Sequence, residues 1–326
     1  MTAVRLVNRQ VMDLLPTAPF CFDATLHKPD HFPSADNAWQ PGIRWQTMLW
    51  QGVPLGLKFE NAGTVDAPHV RLSIYSAESL SQGFLDGLMA EIGYRYQFGL
   101  DLAGFSTRFA AHPRLGPVIA RWRGMRPLNC SSLYEYLMIA IVLQNATVRR
   151  SVQMMRALVE TYGTAVAYDG QELYVAWAPE DIAGATEEEL RRLKVGYRAK
   201  SIGRVTGAFL NGEVDELALR PRPREEQRTA LLRLYGVGPA SVEYLLSDVF
   251  HHLDEMTHIS PWEQTIYSRL FFDRDSQDLV PVPELLAYFH EQFSPYSMLA
   301  VHYFWEDLFW RHTAEPVPWL EALIRL

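Results

Sequence analysis

Lysine is almost missing from this chain: of its 30 basic residues only Lys28, Lys58, Lys194 and Lys200 are lysines and the others are arginine. Arginine is the better bidentate partner for phosphate, although a GC-rich coding sequence produces the same bias. Cysteine is scarcer still, with Cys21 and Cys130 alone. That excludes a zinc or iron–sulfur centre built from cysteines and makes a reducing cytoplasm the expected compartment. His251, His252 and His258 lack a metal-ligand spacing and are expected on the surface, so no metal and no other cofactor is expected. The longest uninterrupted apolar run, Leu137–Leu143, falls far short of a bilayer span, and Met1–Phe20 carries no basic region leading into an apolar stretch. Neither a membrane anchor nor a secretion signal is expected. A surplus of positive charge is also absent, the net being −8, which by itself argues against a nucleic-acid partner. What remains is 326 residues with 48% hydrophobic and 21% charged content, enough for one large core or two smaller ones in a soluble globular protein.

The charge is unevenly spread. From Arg108 to Arg233 there are 19 basic and 14 acidic residues, against 11 and 24 in the rest of the chain, so the middle third is the part that can face phosphates. Apolar spacing changes along the chain as well. Val53, Leu55, Leu57 and Phe59, then Val70, Leu72 and Ile74, repeat every second residue and predict an antiparallel sheet between about Cys21 and Ser76. From Leu80, Phe84, Leu88 and Ile92 onward the spacing is helical, and it is read as helical to the end. Helices are expected at about 132–145, 147–162, 187–194, 198–210, 224–235, 239–250, 261–272, 283–293 and 296–311. Three of them begin with the Ser/Thr-x-x-Glu pattern of a capping box, at Ser132–Glu135, Thr186–Glu189 and Ser260–Glu263. The fold class is therefore α+β, strands first.

The stretch Leu231–Tyr244 carries the most chemical information. It reads as a helix, a tight Gly236-Val237-Gly238 turn and a second helix. In so short a hairpin the first main-chain N–H groups of the second helix point outward, and with the helix dipole they can hold one phosphate. A purely structural turn between two helices has the same sequence.

Gly196-Tyr-Arg-Ala-Lys200 followed by a helix and then Leu-Tyr-Gly-Val-Gly-Pro resembles the helix-hairpin-helix (HhH-GPD) DNA glycosylase superfamily, most closely its 8-oxoguanine glycosylase and 3-methyladenine glycosylase II branch. Phe98-Gly-Leu-Asp-Leu102, with a helix running to Arg123, is similar to the segment that leaves that family's N-terminal sheet. Leu143-Gln-Asn-Ala-Thr-Val148 stands where the family has its duplex-wedging loop, and Ser294–Trp305 resembles the C-terminal helix that closes the base pocket. The resemblance implies a TATA-binding-protein-like sheet domain over residues 1–98. A two-part helical domain over 99–326 follows, with the helix-hairpin-helix at about 224–250, and the activity implied is hydrolysis of the N-glycosidic bond of a flipped base.

Two departures bear on mechanism. Bifunctional members have a nucleophilic lysine where this chain has Ala240, and alanine forms no Schiff base. The family's aspartate matches Glu263, with Asp254 as the alternative. A carboxylate near the anomeric carbon stabilises the cationic sugar and orients water, yet Glu263 is also the third residue after Ser260 and serves equally well as half of a capping box.

By the same resemblance Asn145 is the wedge or a contact to the orphan base, and Arg150 reaches the orphan base or a phosphate, with Gly236, Val237, Gly238 and Ala240 on the DNA backbone. Tyr244, Trp262, Val301 and Trp305 form the base pocket, although each aromatic is as readily a packing residue. Val301 stands where the oxidised-guanine enzyme places a reading glutamine. An apolar residue there points away from 8-oxoguanine and toward an alkylated or otherwise modified base held by stacking. The expected partner is duplex DNA containing a damaged base, bound by a monomer. The alternatives are hydrolysis of a free modified nucleoside or nucleotide, and a non-catalytic DNA-binding relative.

Overall fold

The computed structural model describes residues 3–29 and 34–324, so the expected outer limits at 1 and 326 lie outside the described residues. The period-two spacing at 53–59 and 70–74 marks two of five antiparallel strands, the first of which lies before the expected start at Cys21. They are β2 (Asn8–Leu14), β3 (Asn37–Gln40), β4 (Ile43–Trp50), β5 (Val53–Asn61) and β6 (Val70–Ser76), in the spatial order β2-β6-β5-β4-β3. The β4–β5 link is the two-residue turn Gln51-Gly52, both with positive φ (49° and 75°), which matches the twist of the strands it joins. Leu55, Leu57, Phe59, Val70, Leu72 and Ile74 share the inner face. They are buried against Leu85, Leu88 and Ile92 of helix α2 (Gln82–Arg95) and against Phe22 and Leu26 of the short helix α1 (Phe22–Leu26).

The chain is α+β, but it is not helical to the end. After α3 (Ala103–Phe109), α4 (Leu115–Arg121), α5 (Leu133–Leu143) and α6 (Val148–Tyr162) comes a hairpin of β7 (Thr164–Tyr168) and β8 (Gln171–Val175). Strand β1 (Val4–Arg5) pairs with β7 in parallel, Val4 with Val166 and Arg5 with Ala167, to make a second, three-stranded sheet. The hairpin forms because Asp169-Gly170 takes positive φ at both positions (46° and 76°). It packs on the first sheet through Tyr168, whose ring lies so close to Gly56 that a Cβ there would stand 2.6 Å from it. The Tyr168 hydroxyl donates to the Gln46 carbonyl at 2.9 Å.

Every other expected helix is present within a few residues, except that the single helix expected to run to Arg123 is two, α3 and α4. Pro113 lacks the N–H needed to continue α3, and His112 Nδ1 accepts from the Leu115 N–H at 3.0 Å, capping the start of α4. The remaining elements are α7 (Glu187–Arg192), α8 (Arg198–Leu210), α9 (Glu216–Leu219), α10 (Arg224–Leu232), α11 (Pro239–Asp248), α12 (Pro261–Phe272), α13 (Val282–Phe293), α14 (Ser297–Ala314) and α15 (Pro318–Leu323). All three expected capping boxes are formed, each with both reciprocal hydrogen bonds.

The helices after α2 divide over two cores. Leu137, Ile141, Leu158, Ile202, Val242 and Leu245 belong to one, and Phe105, Ile266, Tyr267, Phe289, Val301 and Tyr303 to the other. Helix α11 lies on the first core and α12 on the second, and residues 249–260 connect them. That connection is held to α14 by the Ser297 N–H on the Asp254 carbonyl (3.0 Å) and the Leu299 N–H on the Leu253 carbonyl (3.1 Å). A buried ion network joins the sheet layer to the helical part. Glu91 of α2 receives Arg220 on both carboxylate oxygens at 2.6 Å and Arg95 at 2.6 Å. Those guanidinium groups keep the Glu91 carboxyl below the ordinary range although burial opposes it.

Candidate nucleic-acid interface and active site

The α10–α11 hairpin turns on Gly236, Val237 and Gly238. Gly236 has φ +79°, and a Cβ there would meet Ser201 Oγ at 2.4 Å, so both conformation and space require glycine. Val237 is buried and anchors the turn in the first core. Gly238 has φ −101°, with open space where a Cβ would stand, and Pro239 occupies the first helical position. The first return bond of α11 runs from the Val242 N–H to the Gly238 carbonyl (3.0 Å). Among the described residues the N–H groups of Gly238, Ala240 and Ser241 meet no acceptor. They are the outward-pointing donors at a helix N-terminus that an anion such as a backbone phosphate fits.

The expected wedge loop lies against this turn. α5 ends at Leu143, Asn145 is exposed with φ +48°, and Gln144 Nε2 donates to the Gly236 carbonyl at 2.8 Å. The loop is braced from below. Arg198 donates to the carbonyls of Gln144 and Ile141, the latter at 3.2 Å, and the Tyr197 hydroxyl donates to the Gln144 carbonyl at 3.4 Å. Asn145 Nδ2 reaches Tyr197 Oη at 3.4 Å. Tyr197 is 52% exposed, a large aromatic beside a main chain held in the left-handed region, and the sequence reading passed over it. Arg150 is tethered, one terminal nitrogen donating to the Lys194 carbonyl.

Six residues along α11 from Gly238, a rise of roughly 9 Å, stands Tyr244. Its hydroxyl donates to Glu263 Oε2 at 2.5 Å, across the line between the two cores. The same oxygen accepts the Ser260 N–H at 2.8 Å, and Oε1 lies 3.4 Å from the Tyr267 hydroxyl. Glu263 is therefore a helix cap and also the acceptor for two tyrosines. Burial, and after it the nearby carboxylate, pushes the Tyr244 hydroxyl far above its ordinary range, and Tyr267 likewise. Both stay protonated donors at neutral pH.

Trp262, beside Glu263, is 38% exposed and meets Trp305 edge to face, ring centres 5.2 Å apart. Trp305 also lies 6.1 Å from the Tyr267 ring. Tyr244, Glu263, Trp262, Tyr267 and Trp305 thus gather at one place. Val301 is buried in the second core, and Asp254 is exposed, its carbonyl accepting the Ser297 N–H. The histidines expected on the surface are only partly so. His251 is half-buried with φ +63°, its ring 4.4 Å from that of Tyr94, and His252 bonds Gln227 at 2.6 Å.

One further acid appears. Ala240, Tyr244 and Asp248 recur every fourth residue on α11, while Val242, Leu245, Leu246 and Val249 face the first core. Asp248 accepts from the Tyr136 hydroxyl through Oδ2 and from Ser247 Oγ through Oδ1 at 3.0 Å.

No family model matches the chain. A probable N-glycosylase/DNA lyase of Methanothermobacter thermautotrophicus is 23% identical over 210 residues, 59% of this chain and 66% of that protein. The chain thus spans just under two thirds of that curated relative's length. Among solved structures, the 3-methyladenine DNA-glycosylase of Archaeoglobus fulgidus superimposes with a TM-score of 0.73 at 14% identity over 93% of this chain and 99% of that one. The 8-oxoguanine glycosylase/lyase of Clostridium acetobutylicum gives 0.66 at 15% identity over 92% and 98%.

Proposed function

We propose, from a chain that has the fold of the helix-hairpin-helix DNA glycosylases, that it is a base-excision-repair enzyme that binds damaged duplex DNA as a monomer. It hydrolyses the N-glycosidic bond of a flipped, modified base without imine chemistry. The observation that carries this reading is the Glu263 carboxylate of α12 held at the junction of the two helical cores by the hydroxyl of Tyr244, which stands on the helix α11 whose first turn offers N–H groups to a phosphate.

The steps follow from that arrangement. The hairpin grips the backbone, Asn145 and Tyr197 enter the stack beside the extruded nucleotide, and the base enters the aromatic cluster of Tyr244, Trp262 and Trp305. As the glycosidic bond lengthens, positive charge grows on the sugar and the Glu263 carboxylate faces it. The two tyrosine hydroxyls fix that carboxylate in place, so no reorganisation is needed as the charge develops. The electron pair of the C1′–N bond leaves with the base, water bonds to the anomeric carbon in its place, and the water's proton passes to the Glu263 carboxylate. Position 240 is alanine, so the abasic strand stays intact. An alkylated base, cationic and held by stacking, suits this cluster better than 8-oxoguanine.

Mass spectrometry of bases released from duplexes carrying a panel of lesions tests the reading, combined with borohydride trapping. The expected result is free modified base, an uncut abasic strand and no trapped adduct. A covalent adduct would show that another amine acts as nucleophile, and 8-oxoguanine as the best substrate would overturn the view of the pocket.

A further inference from the structure

We infer that Asp248 reads the flipped base by accepting a hydrogen bond from an N–H on its edge, which makes it the residue that sets substrate choice. This rests on the reading of the chain as a base-releasing enzyme and names what that site selects.

Helix geometry supplies the first reason. Positions 240, 244 and 248 lie on one stripe of α11, turned away from the core face formed by Val242, Leu245, Leu246 and Val249. Tyr244 on that stripe meets Glu263 of the opposite core, which fixes the direction in which the stripe points. Asp248 stands one turn further from the hairpin than Tyr244. Ala240 is level with the backbone-binding turn, Tyr244 with the acid, and Asp248 with whatever lies beyond the glycosidic bond, which is the base itself.

The second reason is chemical. An ionised carboxylate only accepts hydrogen bonds, so it distinguishes a base edge that donates from one that does not. The group is also pre-set. Tyr136 from α5 and the buried Ser247 both donate to it, and Ser247 Oγ is within 3.1 Å of the Tyr244 carbonyl as well. A side chain fixed from two sides by hydroxyl donors loses little freedom when it engages a ligand. A site built around a hydrogen bond rejects the analogue that lacks the donor far more strongly than a purely apolar pocket does, because the polar group is then left unpaired.

The test compares wild type and Asp248→Asn in single-turnover release of three bases from otherwise identical duplexes. The bases are 7-methylguanine (cationic, with N–H donors), hypoxanthine (neutral, with an N–H donor) and 1,N6-ethenoadenine (neutral, with no donor on that edge). Wild type should favour the two donors. The Asn variant should lose about 10- to 100-fold on both, a buried hydrogen bond to a charged group, while release of 1,N6-ethenoadenine stays within about threefold. A purely structural Asp248 would lower all three together, and that outcome overturns the inference. So does a wild type that prefers 1,N6-ethenoadenine. No release of any base by wild type sinks the proposed activity itself, whereas release without donor dependence sinks only the role of Asp248. Because Asn keeps the size and the acceptor toward Tyr136, melting temperature serves as the control for folding.

Discussion

Glu263→Gln separates the charge of this side chain from its hydrogen bonds. In the native protein the carboxylate accepts from the Ser260 N–H (2.8 Å), the Tyr244 hydroxyl (2.5 Å) and the Tyr267 hydroxyl (3.4 Å). A glutamine carbonyl oxygen can keep the first two, so the cap survives and the cost to folding should be under about 1 kcal/mol. What disappears is the negative charge that the proposed mechanism sets against the sugar. Removing one preorganised electrostatic group from an enzyme site costs about 2.7–4 kcal/mol, or roughly 10²- to 10³-fold in turnover. Glu263→Ala should behave differently. It loses the cap, about 1 kcal/mol, and leaves the Tyr244 hydroxyl without an acceptor, about 2 kcal/mol more. At about 2–4 °C per kcal/mol its melting temperature should fall by roughly 6–12 °C. Single-turnover base release and calorimetry on both variants give the answer. A Gln variant with full activity, or one whose activity falls only in step with its melting temperature, would refute the catalytic role and leave Glu263 as a cap.

Two other outcomes follow from the site. Gly238→Asp adds bulk and negative charge at a position with no positive φ and no steric neighbour. Duplex affinity should therefore drop by at least about tenfold at low salt with the fold intact, and unchanged binding would reduce the turn to a structural one. His251 has its pKa lowered to about 4 by burial and then by the positive charges of Arg220 and His252. Since the unfolded imidazole still binds a proton below about 6.5, the stabilisation held above that pH is lost as the pH falls toward 4, by up to roughly 3 kcal/mol. Denaturant unfolding of wild type against His251→Asn, a residue that tolerates φ +63°, should show this slope only in wild type, and parallel curves would refute it.

The helical part was legible because each of its signals is local. The capping boxes at Ser132, Thr186 and Ser260 and the stripe Leu80, Phe84, Leu88, Ile92 declare themselves within one or two turns, and the glycines of the hairpin follow from a three-residue turn. The β7–β8 hairpin was missed although Asp169-Gly170 between alternating residues is a strong hairpin signal. Its apolar residues, Val166, Tyr168, Leu173 and Val175, are buried only by a distant sheet and by Leu6, so five-residue strands left no pattern that outweighed the helices around them. At the site, the capping role of Glu263 was readable from its spacing to Ser260, and its proposed catalytic role rests on the family resemblance. The bond from Tyr244 was not, because it joins elements whose approach is set by two separate cores. Asp248 is hidden in the sequence for a related reason: its place on the Tyr244 stripe of α11 becomes meaningful only once Tyr244 is seen to meet Glu263. Tyr197 sits inside a motif whose sequence does not reveal its exposure, and exposure is what sets it beside Asn145 at the surface.

The parallel pairing of Val4 and Arg5 with Val166 and Ala167 has a temporal meaning. These residues leave the ribosome about 160 positions ahead of their partners, an interval on the order of ten seconds at 5–20 residues per second. Throughout that interval Leu6, which is buried in the finished protein, has no second sheet to cover it, and Gly56 waits for the Tyr168 ring. Closing so long a loop is entropically expensive and slow compared with winding any of the helices. Seating of the hairpin on the first sheet therefore waits for residues 164–175 to be made, so the N-terminal layer is completed only after helices α3 to α6 have been synthesised.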